Sequence, residues 1–459
     1  MEKVLRIPLG RTGLKVSPVG FGCYRVTDRD PVHYEALKQA LLAGCNLIDT
    51  STNYTNGRSE RLVGKVLRDL KLKDVVVVTK AGYVQGDNLD LARQRERDGK
   101  PFPDMVKYSD DCWHCISPEF LEDQLTRSLE RLQLPKVDVL LLHNPEYFLK
   151  TDNDHAEYYE RISRAFVYLE TEVRKGRISF YGISSNTFPE PKENPDFTSL
   201  ETVLELAERI GKDHHFAVIQ FPFNLFEPGA ALEHNNLGMT LAQLAAEKGL
   251  GTLINRPLNA FNENRLVRLA DFPSHEGTEL MGKVKDFLNQ TLQLEARYQG
   301  KAIVAGNQVS WGHILRANLS QLMNLENWKG ALTYQIQPAL EAALSKLAKA
   351  EASAVRQWGT EYETATRSLF AAFTSLLESQ AALESSKISR VLEDACPELK
   401  SSLTLSQKAV RLYLSIRGID CILVGMRQPS YVLDALSLQP PLESEDEAIE
   451  ALRAIQLLE

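Results

Sequence analysis

Four residues able to exchange protons stand at or just after the ends of short apolar runs. Asp49, Lys80 and His143 each end one run, and Tyr54 follows Asp49 by five positions. Alone, each residue has a structural interpretation: a turn cap for the Asp, a solvated charge for the Lys and a hydrogen-bonded core residue for the His. An ionisable group placed directly after buried residues is costly unless it is paired. The set of four therefore predicts an acid–base site.

The types of these residues indicate carbonyl chemistry. A tyrosine with a pKa of about 10 is a poor proton donor at neutral pH, and we expect the Lys80 ammonium to lower the pKa of Tyr54. Asp49 would pair with Lys80, and His143 would orient the substrate oxygen. The set could protonate a carbonyl oxygen while hydride reaches its carbon. The sequence shows no Ser or Cys nucleophile with a base and no metal-ligand spacing.

The runs that carry these residues belong to a longer alternation of strand and helix. Eight β-rich runs are predicted at 17–22, 46–49, 75–80, 137–143, 178–184, 216–220, 251–255 and 420–425. Most are separated by helical patterns, at 33–43, 58–70, 119–132, 157–175, 200–211 and 239–248. This rhythm predicts an α/β fold, a (β/α)₈ TIM barrel with a parallel sheet. The carboxyl ends of its strands would form the active-site mouth, and a hairpin around 11–13 would close the opposite end. Ser117 is the expected N-cap of the helix at 119–132.

One connection is far longer than the rest. Between the seventh and eighth runs, helical patterns at 279–298, 309–325, 332–358 and 362–386 predict an inserted all-α subdomain. We therefore predict a barrel from 1–262 and 401–459 and a helical insertion at 263–400, with joints at 273–277 and Gly359. The insertion could elaborate the barrel or mediate a homo-oligomer or protein partner through 264–398.

Composition narrows the class of protein. Net charge is −8 and hydrophobic residues make up 43%, as in ordinary globular proteins, and this charge argues against nucleic-acid or anionic-membrane partners. The six cysteines are too scattered for a disulfide framework, and Cys45 and Cys421 have the surroundings of buried thiols. Without an apolar segment of signal-peptide or membrane-helix length, the expected location is cytoplasmic.

Several motifs resemble those of the aldo-keto reductases. They are LGRTGLKVS at 9–17, IDTSTNY at 48–54, NGRSE at 56–60, VTK at 78–80, DVLLLH at 138–143 and GISSN at 182–186. The resemblance covers residues 1–262 and about 401–437. It implies a barrel oxidoreductase that transfers hydride between a nicotinamide cofactor and a carbonyl or alcohol substrate, with Asp49, Tyr54, Lys80 and His143 as the catalytic tetrad and Tyr54 as general acid.

The resemblance also implies where a cofactor, NADP(H) or alternatively NAD(H), would bind. The implied contacts are Gly22, Tyr24, Ser184, Ser185, Asn186, Gln220, Asn255, Arg256, Pro257, Leu258, Gly425, Arg427 and Tyr431. Three positions depart from the family pattern. Asn255 replaces an aromatic that stacks on the nicotinamide, while Tyr431 and Ala435 replace a basic residue and an Asn on the adenine-ribose side. The preference for NADP over NAD is thereby weakened.

The long loop at 84–116 holds a single C-x-x-C, formed by Cys112 and Cys115. A zinc site would need a second ligand pair, and a reversible disulfide gating the loop is an alternative. Trp113 and His114 are predicted to line the substrate pocket.

Two further functions remain open from the sequence. One is an NAD-dependent sugar or polyol dehydrogenase that uses the same residues in the oxidative direction. The other is a cofactor-binding regulatory or scaffold protein that acts through the helical insertion.

Overall fold

Eight parallel strands form a closed barrel in the computed structural model. It describes residues 5–262, 265–274, 277–298, 309–319 and 321–458. The barrel strands are β1 Val19–Gly22, β2 Leu47–Asp49, β3 Val76–Ala81, β4 Val137–His143, β5 Ile178–Ser184, β6 Phe216–Pro222, β7 Gly251–Asn255 and β8 Cys421–Val424. Neighbours in the barrel are neighbours in sequence, and β8 pairs with β1. The predicted (β/α)₈ barrel is confirmed.

Helices follow most of the strands. In chain order they are α1 Pro31–Leu42, α2 Arg58–Leu70, α3 Asp87–Arg97, α4 Pro118–Leu132, α5 His155–Arg174, α6 Leu200–Ile210, α7 Gly229–Leu232, α8 Leu241–Glu247, α9 Gly277–Tyr298, α10 Trp311–Asn318, α11 Leu325–Ala331, α12 Gln337–Leu347, α13 Ser353–Ala395, α14 Leu405–Tyr413, α15 Pro429–Leu436 and α16 Glu445–Gln456. Local sequence sets several of their starts. Asp30 caps α1 ahead of Pro31, and Thr240 with Gln243 forms a capping box on α8.

The predicted N-cap position of α4 is confirmed. Ser117 stands at the N-cap with extended backbone and Pro118 follows it, but the Ser117 side chain makes no capping hydrogen bond. Its hydroxyl oxygen lies 3.3 Å from the Cys115 sulfur instead.

An N-terminal hairpin closes the amino end of the barrel, as predicted. Its strands are Ile7–Pro8 and Lys15–Val16. Leu9 and Val16 are fully buried among inward-facing residues of β2, β3, β4 and β7. Gly10, with φ of +48°, is required at the contact with β7, because an added Cβ would lie 2.2 Å from the Gly251 nitrogen.

The predicted loop at 84–116 is a folded element. It contains α3 and a three-stranded antiparallel sheet of Tyr83–Val84, Trp113–His114 and Val106–Lys107. This sheet has its own apolar cluster, which includes Val84, Leu89, Phe102, Trp113 and Phe120. We call residues 82–117 the β3–α4 segment.

The chain divides into two compact units, Met1–Ala260 with Leu392–Glu459, and Phe261–Val391. The first holds the barrel and the second is largely helical. The second has its own core around Trp328, Tyr362, Leu369 and Phe373, none of which is exposed.

Three expectations about the helical unit are wrong, and two of the predicted ranges include residues that the structure does not describe. The pattern at 332–358 is interrupted between α12 and α13, and the pattern at 309–325 is divided between α10 and α11, with position 320 outside the described residues. Gly359 is not a joint but lies within α13, where an added Cβ would come 3.2 Å from the Leu347 Cβ. The glycine permits α12 and α13 to approach closely. Positions 275 and 276 of the predicted joint 273–277 are also outside the described residues.

Within the described part of the chain, no helix is both long and apolar enough to cross a membrane.

Candidate active site

The carboxyl ends of β2, β3 and β4 bring the four predicted residues together. Lys80 is fully buried, and its Nζ lies 2.7 Å from Asp49 Oδ2, 3.1 Å from Tyr54 Oη and 3.0 Å from the Thr50 carbonyl oxygen. The rings of Tyr54 and His143 meet edge to face, with centroids 5.8 Å apart.

A tight turn after β2 places Tyr54 over Lys80. Thr55, Asn56 and Gly57 have φ of +46°, +58° and +76°, so the chain reverses directly after Tyr54 and enters α2. The backbone N–H of Thr52 donates to the Lys80 carbonyl oxygen at 3.1 Å. The turn is therefore tied to β3, which carries the lysine.

The ammonium of Lys80 uses each of its three hydrogens within the site. They go to Asp49, to the Thr50 carbonyl and to the oxygen of Tyr54. Burial alone would lower the pKa of Lys80, but Asp49 and Tyr54 oppose it and the pKa lies above its usual value. Lys80 is therefore a fixed cation, and the Tyr54 O–H hydrogen remains available to another acceptor.

The predicted low pKa of Tyr54 is wrong for this arrangement. Burial is the largest influence and raises the pKa of Tyr54 to about 12, while Lys80 acts in the predicted, lowering direction. The tyrosine therefore keeps its proton, and Lys80 limits the cost of releasing it.

His143 is held neutral at the end of β4. Burial and the nearby Lys80 charge put the pKa of His143 well below its usual value. Its Nδ1 lies 3.0 Å from the Ser51 Oγ, and the Tyr83 ring packs edge-on against the imidazole at 4.7 Å. Neither Ser51 nor Tyr83 was among the predicted residues, although Ser51 lies inside the motif at 48–54.

The two residues predicted to line the substrate pocket lie on opposite faces of one short strand, because side chains alternate along it. His114 joins the site: its Nε2 lies 2.7 Å from the His143 carbonyl oxygen, and its ring stacks on Tyr147. Burial lowers the pKa of His114 to about 4. Trp113 packs into the apolar cluster of the β3–α4 segment and is not brought to the four residues.

The two cysteines of this segment are free thiols. Cys115 belongs to the same apolar cluster as Trp113, and its thiol donates to the Pro103 carbonyl at 3.2 Å. Cys112 stands two residues before His114, so alternation puts it on the same face as His114 and opposite to Cys115. Among the described residues, no group of three or more His, Cys, Asp or Glu side chains could hold a metal ion.

A hydrogen-bonded relay joins the end of β5 to Asp49. Strand register places Ser184 beside both His143 and Gln220. The Ser184 hydroxyl donates to Gln220 Oε1 at 3.1 Å, and Gln220 Nε2 donates to Asp49 Oδ1 at 2.8 Å. Both residues are buried, so the relay fixes Asp49 from the side away from Lys80.

The two residues after Ser184 have other partners. The Ser185 hydroxyl lies among buried hydroxyls, 3.2 Å from Thr187 Oγ1 and 3.3 Å from Thr198 Oγ1. The Asn186 backbone N–H donates at 2.8 Å to Glu146 Oε1. Burial raises the pKa of Glu146 to about 7; this buried acid near the end of β4 was also not predicted.

The end of β7 presents mixed polar groups. Asn255 Oδ1 is buried, and no described residue hydrogen-bonds to it. Arg256, in the left-handed region, pairs with Glu227 at 2.9 Å. The Pro257 carbonyl accepts from the Tyr413 hydroxyl at 3.1 Å, and Leu258 lines a cavity beside α14 and α15.

The residues after β8 and β1 are more exposed to solvent than those at the end of β7. Gly425 is exposed, with free space where a Cβ would stand, and Arg427 is half-buried. Tyr431 is exposed on α15, whose N-cap residue Gln428 makes no side-chain capping bond.

At β1, register places Gly22 beside Asp49. Tyr24 is largely exposed and meets the Tyr54 ring edge-on at 5.2 Å.

Comparison with known proteins identifies a family. The model of the Aldo/keto reductase family matches residues 18–300, more than half of the chain.

Curated relatives match over shorter stretches. The NADH-specific methylglyoxal reductase of Escherichia coli is 32% identical over 148 residues, 30% of this chain and 41% of that protein. The putative voltage-gated potassium channel subunit beta of Schizosaccharomyces pombe is 30% identical, over 38% of this chain and 44% of that protein. L-galactose dehydrogenase of Arabidopsis thaliana is 30% identical, over 40% of this chain and 49% of that protein. The matched stretches thus span less than half the length of these relatives.

Solved structures show the same fold at low identity. An aldo-keto reductase from Bacillus halodurans in its holo form has a TM-score of 0.52 and 16% identity, covering 98% of this chain and 96% of that one. Glycerol dehydrogenase from Gluconobacter oxydans has a TM-score of 0.51 and 16% identity, covering 100% and 97%.

Proposed function

This chain belongs to the aldo/keto reductase family, and from that premise we propose that it is an NAD(P)H-dependent reductase of aldehydes or ketones with Tyr54 as its general acid. The observation that carries the proposal is a series of contacts in which the buried Asp49 and Lys80 lead to the half-buried Tyr54, with distances of 2.7 and 3.1 Å. It ends in one hydroxyl hydrogen that Lys80 does not use.

In the proposed reduction, the cofactor is the hydride donor and the Tyr54 hydroxyl is the proton donor. When bound, a nicotinamide cofactor would supply the hydride that the carbonyl carbon receives. Tyr54 gives its proton to the carbonyl oxygen, and the phenolate that remains lies beside the Lys80 ammonium. Asp49 keeps Lys80 charged and in place, because a carboxylate at 2.7 Å favours the ammonium form.

The residues near the strand ends fit such a cofactor. The buried Asn255 Oδ1, to which no described residue hydrogen-bonds, could accept from an amide N–H. The amino end of α15, where Gln428 makes no side-chain cap, could bind a phosphate together with Arg427. We propose that Ser184, Gln220 and Asn255 lie at the nicotinamide end, and that Gly425, Arg427 and Tyr431 lie at the other. Either NADPH or NADH is compatible with these groups.

The substrate class is part of the proposal. The names of similar proteins refer to methylglyoxal, L-galactose and glycerol, which are small oxygen-rich molecules. We propose that this chain acts on small carbonyl compounds of that kind, and that it oxidises the corresponding alcohols when the cofactor is supplied oxidised.

The test uses the full chain with NADPH or NADH and a panel of small aldehydes and ketones. Tyr54→Phe should lower kcat by about 100- to 10,000-fold, the usual contribution of a positioned acid. Cofactor affinity, measured by fluorescence titration, should remain within about twofold. Tyr334→Phe is the matched control, since this tyrosine is 77% exposed in the helical unit.

One result would contradict the proposal. If wild type and Tyr54→Phe turned over every carbonyl equally slowly while binding cofactor tightly, Tyr54 would not be the acid. A cofactor-binding regulatory role would then be favoured.

A further inference from the structure

Glu146 is a buried acid that the proposed proton transfer does not use. It lies in the turn after β4, and none of its surface is exposed. Its Oε1 accepts a hydrogen bond at 2.8 Å from the backbone N–H of Asn186. A backbone N–H can only donate and a carboxylate oxygen can only accept, so the direction of this bond is fixed by the chemistry of its partners.

The bond to Asn186 is the first one beyond the strand pairing of β5. The Ser184 carbonyl accepts from the chain after β4 at 2.7 Å, and the Ser185 N–H donates to the Gln220 carbonyl of β6 at 2.9 Å. Both bonds continue the pairing of β5 with its two neighbours. At Asn186 the backbone N–H binds a side chain instead. Glu146 therefore holds the chain at the point where it leaves the barrel.

The segment at 184–186 is one of the proposed cofactor contacts, and this step of the inference rests on the proposed function. Ser184 and Ser185 are buried and are held by backbone bonds to both neighbouring strands. Asn186 is half-buried and has the bond to Glu146 in their place. The strength of that one bond therefore controls the end of this segment without changing β5 itself.

The carboxyl group of Glu146 is suited to change its charge near neutral pH. Burial is the largest influence and raises the pKa of Glu146 to about 7, while the Asn186 N–H acts in the lowering direction. A hydrogen bond to an ionised acceptor is roughly twice as strong as one to a neutral acceptor. Ionisation of Glu146 therefore strengthens its bond to Asn186.

The other titratable and charged groups around Glu146 come from three parts of the chain. Tyr158 of α5 and Tyr83 of the β3–α4 segment interact with its charge, and burial puts the pKa of each tyrosine above its usual value. Lys150 has a small lowering effect on the pKa of Glu146, and it lies 3.7 Å from Asp196. The two tyrosines stay neutral near pH 7, so they do not compensate a charge on Glu146.

We propose that Glu146 is a positioning residue that holds the segment at 184–186 in the form that binds the nicotinamide end of the cofactor, and that it does so best as a carboxylate. Cofactor binding then favours the ionised acid, and protonation of Glu146 weakens binding. Cofactor affinity therefore rises as pH rises through neutrality.

Nuclear magnetic resonance of the Asn186 amide tests the contact without cofactor or turnover. Asn186 is the only asparagine in the sequence that follows a serine. The full chain, made by cell-free synthesis with carbonyl-¹³C serine and ¹⁵N asparagine, therefore gives a single HNCO signal. Its amide proton should move downfield as the pH is raised from 5.5 to 8.5, with a midpoint at about 7. A signal that does not titrate in this range overturns the proposal.

Two variants assign that titration. Glu146→Gln keeps an acceptor oxygen for Asn186 but does not ionise, so its Asn186 signal should stay constant with pH. Glu160→Gln is the matched control, since its carboxylate is 60% exposed on α5, and it should titrate like wild type. If the signal of Glu146→Gln still titrated, another group would be responsible and the role of Glu146 would be contradicted.

Fluorescence titration with NADH at pH 6 and pH 8 tests the effect on binding. The Kd of wild type should be about three- to tenfold lower at pH 8, the difference between a charge-assisted and a neutral hydrogen bond. For Glu146→Gln the two values should agree within about twofold. NADPH carries a phosphate that titrates near pH 6, so for that cofactor the comparison is the difference between wild type and Glu146→Gln. An equal pH dependence in both proteins overturns the proposal.

Failure of the proposed function gives a different result. If the chain binds neither NADH nor NADPH at either pH, the proposed function fails and the cofactor role of Glu146 fails with it. The Asn186 signal then still decides whether the charge of Glu146 controls this segment.

Discussion

The barrel unit and the helical unit each bury ionisable groups, but the hydrogen-bond partners of those groups differ. In the helical unit, the Glu295 carboxylate accepts from the Gly312 N–H at 2.7 Å and the Tyr362 hydroxyl at 3.0 Å, and it contacts His313. In the barrel, Asp49 binds Lys80, and Lys80 binds Tyr54. In the helical unit, the donors are all hydrogen-bonded to the Glu295 carboxylate. In the barrel, the Tyr54 oxygen accepts from Lys80, and the hydrogen of the Tyr54 hydroxyl is left for another acceptor.

A buried charge therefore does not by itself identify a reactive site. A buried carboxylate that is satisfied at the start of a helix stabilises that helix. A buried ion pair that leads to a neutral acid at a barrel mouth can support chemistry. Variants that remove one partner in each unit should separate these two outcomes.

Lys80→Met should have the largest effect, because it removes both the cation beside Tyr54 and the partner of Asp49. Activity should fall by about 100- to 10,000-fold. The free energy of unfolding should fall by about 3–5 kcal/mol, since Asp49 loses its counter-charge in a buried site. Turnover assays and urea unfolding measure the two effects.

The matched control is Lys408→Met. Lys408 is also buried and pairs with Glu393 at 2.5 Å, but it has no contact with Tyr54. The Lys408→Met variant should have a lower free energy of unfolding but should still reduce carbonyl compounds. A loss of activity as large as that of Lys80→Met would break the distinction between the two kinds of buried charge.

Glu146 extends the comparison inside the barrel, because it is a buried acid that forms no ion pair with any described residue. Burial raises its pKa from 4.5 to about 7. Between these pH values the folded chain keeps the proton that the unfolded chain releases, so the free energy of unfolding falls as pH rises through this window. The total change is about 3 kcal/mol.

Glu146→Gln should remove that part of the pH dependence, because an amide does not titrate. Urea unfolding at a series of pH values from 4.5 to 8 measures it. Glu160→Gln, whose carboxylate is 60% exposed, should leave the wild-type slope in place. A Glu146→Gln slope equal to that of wild type would show that Glu146 does not titrate in this window.

Glu295→Gln should have the smallest effect, on stability alone. The amide keeps one acceptor oxygen, but its NH₂ group would face the His313 backbone N–H. We expect the free energy of unfolding, measured by thermal unfolding, to fall by about 1–3 kcal/mol, and kcat to stay unchanged. Glu279→Gln, exposed on α9, is the control and should change neither quantity.

Much of the barrel could be predicted because its strands are buried on both faces and read as apolar runs. The bounds of β4, β5 and β7 agree with the predicted runs residue for residue, and α2 does as well. The helical unit was harder. Apolar spacing indicated helices but not their ends, and Gly359 is a breaker by composition yet lies inside α13, where tertiary packing requires a small residue.

For the candidate site, too, some features could be predicted from the sequence and others could not. The position of the four residues follows from strand ends, which sequence periodicity locates. Their electrostatics do not, since the pKa of Tyr54 depends on how deeply the turn buries it, and that burial outweighs Lys80. The faces of Trp113 and His114 depended on a short sheet that the sequence did not indicate.

The sequence by itself determined the barrel, the family and the convergence of Asp49, Tyr54, Lys80 and His143, because a parallel barrel collects its strand ends at one mouth. Only the tertiary structure decided that Gln220 joins Ser184 to Asp49, that Glu146 is buried and that Ser51 contacts His143. These are contacts between residues distant in sequence, and side-chain hydrogen bonds depend on a few tenths of an ångström. No pattern along the chain carries that information.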